Sequence, residues 1–284
     1  MGSAPMTRCC AVAAGVVLGL APYAVAADAA PRGVFVPCGP DRARLLNDAV
    51  AEGNARPGVP WEIVLPSGCT YTVARPYGRM NALAAVAGNI RIRSHGPAGA
   101  VIARSTAEGT PDFRVLEVEM GGRLTLDRIT VRGGSLGSGA GLFNNYGTLT
   151  LNHSTVESNH AREFGGGIAT NGERAATVLN DTTVRRNSAF FGGGGLFSNA
   201  GTTTLSGGSV ASNRATGGVG GGILNNGRLS VLHLHDTPVT GNRAAETAGG
   251  IFNGGRVTAA GSPVTGNLPN DCAGSPAPVP GCAG

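Results

Sequence analysis

Gly-Gly-Gly-Ile at residues 165–168 returns as Gly-Gly-Gly-Leu at 193–196, as Gly-Gly-Gly-Ile at 220–223 and as Gly-Gly-Ile at 249–251, with Ala140-Gly141-Leu142 as a forerunner. The apolar members Leu142, Ile168, Leu196, Ile223 and Ile251 stand 26, 28, 27 and 28 residues apart. A period of that size marks a repeat architecture, in which one unit cannot bury its own apolar face and a stack of units can. After each Gly run comes an Asn-bearing turn (Asn145, Asn171, Asn199, Asn226), a short alternating stretch such as Thr148-Leu149-Thr150-Leu151, and a phrase V-x-x-N. That phrase places Asn159, Asn187, Asn213, Asn242 and Asn267 in equivalent positions. Alternation over three to five residues is a strand signal, and Gly or Asn supplies corners of positive φ. One unit therefore reads as three brief strands, one coil of an all-β, single-stranded, right-handed parallel β-helix.

Stacked coils bring like residues about 4.8 Å above one another. Ile, Leu and Val then form interior columns, and the five asparagines form a file whose amides bond up and down the stack. The expectation for Asn159, Asn187, Asn213, Asn242 and Asn267 is thus a structural ladder.

The rest of the chain divides around this core. Residues 1–27 read as a secretory signal peptide: Arg8, an apolar run from Cys9 to Leu20, and small residues at Ala24-Val25-Ala26. A membrane-spanning helix is the alternative, but the run falls short of the roughly 20 residues needed and Pro22 interrupts the segment. Residues 28–85 form an N-terminal cap and first strands, with a helix from Asp41 to Glu52 burying Leu45, Leu46, Ala49 and Val50, and Asp41 placed as its cap. The coils occupy 86–267, and 268–284 is a Pro-rich tail. Without the leader four cysteines remain, Cys38, Cys69, Cys272 and Cys282, an even number suited to disulfides in an exported chain. Three pairings are open, of which Cys38 with Cys69 and Cys272 with Cys282 give one staple at each end. No C-x-x-C pair starts a zinc site, and neither a metal nor a cofactor is expected.

The helix followed by I-V-L-P-S-G-C-T-Y-T-V at 63–73 resembles the N-terminal cap of the pectate-lyase-like superfamily of right-handed parallel β-helices. From about residue 115 to 267 the Gly-Gly-apolar and V-x-x-N phrases resemble the polymorphic outer-membrane protein repeat, with its G-G-A-I and F-x-x-N hallmarks, Val standing for Phe. The first resemblance implies a fold shared with polysaccharide lyases and glycoside hydrolases. The second implies an adhesin-like or short secreted bacterial protein.

Chemistry is sparse. Glycoside hydrolysis needs two carboxyl groups roughly 5–9.5 Å apart. Alignment on V-x-x-N stacks Arg128, His153, Asp181, Gly207, Asp236 and Gly261 in one corner column, making His153, Asp181 and Asp236 the best catalytic candidates and ordinary turn residues at once. His233 and His235 make an H-x-H pair suited to a transition metal, but apart from Asp236 a third ligand is wanting, and surface histidines are the expectation. The residues after the inward Ile or Leu, namely Phe143, Ala169, Phe197, Leu224 and Phe252, should face outward as an apolar stripe, free to bind a sugar face or covered by the loops carrying Phe164, Phe190 and Phe191. All 22 basic residues are arginines, against 17 acidic ones, and they are dispersed; no nucleic-acid partner is expected. The expectation is a secreted, non-catalytic surface or extracellular module for a polysaccharide or cell-surface glycan, with a polysaccharide-active enzyme as the rival.

Overall fold

The computed structural model describes residues 1–2 and 32–282, so the expected leader lies outside the described residues but for its first two. Every ladder between the named strands is parallel. A nine-stranded sheet runs from Arg32–Phe35 through Trp61–Pro66, Asn89–His95 and five further rungs to Arg256–Ala260. An eight-stranded sheet runs from Thr70–Val73 to Val264–Thr265, and a six-stranded one from Leu116–Val118 to Ile251–Asn253. The chain visits these in rotation, which is a parallel β-helix.

The three-strand unit needs one correction. A fourth sheet of five two-residue strands passes through Ser135–Leu136, His160–Ala161, Ser188–Ala189, Arg214–Ala215 and Arg243–Ala244. Its signal is the small residue two places after each of the first four ladder asparagines: Ala161, Ala189, Ala215 and Ala244, all buried. Two residues are too few to show alternation, so the strand is invisible to a periodicity test.

Inside, side chains lie in files. Tyr71, Ile102, Val131, Val156, Val184, Val210, Val239 and Val264 form one, fixed by the register of the eight-stranded sheet and closed to solvent throughout. Each buried aliphatic side chain contributes about 1.5–3 kcal/mol relative to exposure.

The Gly run has two separable causes, seen in one coil. Gly165 sits at φ 64°, a conformation that L side chains avoid. A Cβ on Gly166 would lie 2.2 Å from the Ser188 carbonyl oxygen, and one on Gly167 would lie 2.7 Å from the Gly195 carbonyl and 2.9 Å from the Asn187 amide. The chain must therefore pass bare backbone against the Asn turn of the next coil.

That turn is held by the file of asparagines. The Nδ2 group of Asn159 donates to Asn187 Oδ1 (2.9 Å), Asn187 to Asn213 (3.1 Å), Asn213 to Asn242 (3.0 Å) and Asn242 to Asn267 (2.9 Å). Each Nδ2 also donates to the carbonyl of a Val in the preceding coil, and each Oδ1 accepts the backbone N–H of the preceding file member. The file ends on Asp271, whose Oδ1 takes both the N–H and the Nδ2 of Asn267.

The ends are covered differently. At the start, a helix, α1, spans Arg42–Asn54 and buries Leu46, Ala49, Val50 and Gly53. Asp41 precedes it without the expected side-chain cap; its carbonyl accepts from Leu45 N–H and its carboxylate faces Arg44. Arg42 reaches the Thr70 carbonyl, tying the helix to the first strand of the eight-stranded sheet. Cys38 bonds Cys69 at this end and Cys272 bonds Cys282 at the other. No helix among the described residues is long and apolar enough to cross a membrane.

Candidate functional site

Each residue of the corner column adopts positive φ: Arg128 55°, His153 47°, Asp181 46°, Gly207 72°, Asp236 49° and Gly261 59°. The chain turns there from the nine-stranded to the eight-stranded sheet, and Asp, Asn and Gly tolerate the turn best. His153 Nδ1 lies 3.6 Å from Asp181 Oδ2, with both side chains well exposed. Asp181 leans over Gly207, where a Cβ would fall 2.4 Å from its Oδ1, and Asp236 leans over Gly261 in the same way (2.1 Å). Asp181 and Asp236 are kept apart by the coil of Gly207, so the column brings together one His–Asp contact and no pair of carboxylates.

Other acidic groups on the sheet faces are matched by arginines. Asp127 meets Arg91 (2.7 Å), Glu62 meets Arg93 (2.9 Å), Glu117 meets Arg114 (2.6 Å) and Glu157 meets Arg185 (2.8 Å). Burial pulls the Arg114 guanidinium below its usual pKa, with Glu117 opposing that drop. Hydrogen bonding from Ser135 first, then the charges of Arg162 and Arg104, holds Asp112 below the usual carboxylate range against its own desolvation. His233 Nδ1 faces Thr258 Oγ1 at 2.7 Å, and no group of three or more His, Cys, Asp or Glu that could hold a metal ion occurs among the described residues.

The apolar stripe is present in register but is only partly open to solvent, with Phe143, Phe197 and Phe252 half-buried. Phe143, Ala169, Phe197, Leu224 and Phe252 are successive partners across the six-stranded sheet. Yet Ala169 is 0% and Leu224 4% exposed, which removes Leu224 from any open binding surface. The cover is a ridge of loops, bridged to one another at Phe164, Gly192 and Val219. Phe164 stacks on Phe197 (centroids 4.8 Å), and the Arg114 guanidinium lies over Phe143 at 4.5 Å. The pleat sets the outward direction of the stripe, while the loop path that covers it follows from no periodicity.

The ridge carries its own exposed rings. Phe190 and Phe191 are 48% and 49% exposed and meet edge to face at 5.0 Å. Phe191 also touches Phe164 at 5.5 Å, so an unbroken chain of rings runs from solvent down to Phe197. Gly217 lies under Phe190, where a Cβ would come within 2.8 Å of the ring. Four of the eight phenylalanines in the chain thus gather in one cluster. Compared with known protein families, with curated proteins and with solved structures, the chain matches none.

Proposed function

We propose that this protein is an exported, non-catalytic β-helix binding module of the kind found among polymorphic outer-membrane protein and pectate-lyase-like repeats, holding a glycan on its loop ridge. The supporting observation is the Phe190–Phe191 pair, exposed yet anchored through Phe164 to the sheet beneath. Rigid aromatic rings offer a large apolar area at little entropic cost, and the face of a sugar ring fits such a surface. The two disulfides accord with an oxidising compartment. The acidic residues of the strands, Glu62, Glu117, Asp127 and Glu157, are each engaged by an arginine, which favours binding over hydrolysis as the reading.

The polysaccharide-active alternative has one observation in its favour, the His153–Asp181 contact. A glycan array run beside lyase and reducing-sugar assays on uronic-acid polymers separates the two. Binding without turnover, weakened about tenfold or more by Phe190→Ala with Phe191→Ala while thermal unfolding stays put, is the expected result. Turnover abolished by Asp181→Ala would replace this proposal with the enzyme.

A further inference from the structure

The last strand of the nine-stranded sheet, Arg256–Ala260, pairs on one side only, with Val231–His235. Arg256 N–H donates back to Ser230 and its carbonyl accepts from Asn225, both in the preceding coil. Successive residues of a strand alternate in this respect, so Val257 and Ala259 direct their N–H and C=O groups away from the stack. An open row of this kind is a template for another strand.

The tail shields the neighbouring edges but not this one. Leu268 exchanges backbone bonds with Asn242 and Ala244. Ile251 is covered by Asp271, and Asn253 by Ser275 and Ala277. Among the described residues no hydrogen bond joins the tail to Arg256–Ala260. Between them lies a groove of about 500 Å³, walled by Gly254, Gly255 and Val257 on one side and by Pro276, Pro278 and Pro280 on the other. Arg228 and Arg256 line it, and among the described residues no acidic one does and neither arginine side chain has an ion-pair or hydrogen-bond partner. Charges and prolines also blunt edges against aggregation. Here, however, the prolines stand on the facing wall and leave the row of strand N–H groups open.

We infer that this edge docks an extended acidic peptide, which adds to the sheet as a further strand and sets its carboxylates on Arg228 and Arg256. Main-chain bonds supply affinity in such additions, and side-chain charge supplies selectivity. A second copy of the chain fits less well, since the strand at the opposite end of this sheet, Arg32–Phe35, which among the described residues pairs on one side only, brings a further arginine and no acid.

The test is hydrogen exchange on the full chain with a short peptide of alternating Val and Glu as probe. The amides of Val257 and Ala259 should slow on addition, and the Val–Glu peptide should bind about tenfold more tightly than a Val–Thr analogue. Arg228→Glu with Arg256→Glu should transfer the preference to a Val–Lys peptide. Ala259→Pro should remove an edge donor and abolish binding while leaving the bonds to the preceding coil; if that variant fails to fold, the charge exchange decides alone. The inference is overturned by slowing that ignores peptide charge, by none at millimolar peptide, or by slowing that rises with protein concentration alone, which would mark a second copy as the occupant.

Discussion

At the scale of single residues, the buried asparagines carry the most consequence. Asn187 uses two donors and two acceptor positions, all on partners closed to water. Replacing it by Ala strands the Asn159 N–H and the Val156 carbonyl and takes an acceptor from Asn159 Nδ2, while Asn213 Oδ1 keeps the Asn187 N–H. Each orphaned buried group costs about 1–3 kcal/mol, so Asn187→Ala should lose about 3 kcal/mol or more in denaturant unfolding. Asn226→Ala, at the exposed end of strand Ile223–Asn226, should change stability by about 0.5 kcal/mol or less in the same measurement. The file of asparagines was readable from spacing because register in a stacked coil is a matter of counting. The direction of Asp41 was not readable, because a cap depends on φ and ψ at one residue, and these follow from how α1 docks on the first coils. Leu224 shows the same limit: its pleat position is in the sequence, while its burial under Gly192 and the loops is set by tertiary packing.

At the scale of elements, a phenol joins the Arg42–Thr70 contact and the Cys38–Cys69 disulfide in tying the N-terminal cap to the first coils. Tyr71, fully buried on strand Thr70–Val73, donates its hydroxyl to the Val36 carbonyl at 2.6 Å. Burial pushes its pKa up to about 12 from 10.0, with Arg42 opposing the rise. The folded value lies above the unfolded one, so the protonated phenol's contribution is complete below pH 10 and lost as pH climbs from about 10 through about 12. Two units correspond to about 3 kcal/mol at most. Unfolding followed between pH 9 and 12, values set to bracket that titration, should show the native protein losing stability with this slope. Tyr71→Phe should flatten it while lowering stability at neutral pH by about 1 kcal/mol for the missing hydrogen bond. The two-residue strands of the fourth sheet stand at the other extreme. They have no alternation to detect and are held by the asparagine file beside them.

At the scale of the whole molecule, coils contact chiefly their neighbours, so stability is close to a sum of coil and interface contributions and losses begin at the ends. The disulfides are placed there. Chain-entropy arguments assign about 3.7 kcal/mol to Cys38–Cys69 and about 2.7 kcal/mol to Cys272–Cys282 for separations of 31 and 10 residues. Cys272→Ser with Cys282→Ser should therefore fray the terminal coils rather than melt the whole. Hydrogen exchange should quicken at residues 251–279, with little change over 142–199. Uniform quickening along the chain would mean that the stack unfolds as one cooperative block.

The carboxylate of Asp271, four residues beyond the last file asparagine, closes the amide file, and the file has a polarity. Every amide in it points one N–H toward the C-terminal pole and its oxygen toward the other, so five small dipoles add head to tail and end on the carboxylate of Asp271. A carboxylate accepts and cannot pass a donor onward. Coils copied into the middle of the column would continue the relay, whereas Asp271 Oδ1 receives the last hydrogens and has none to hand on.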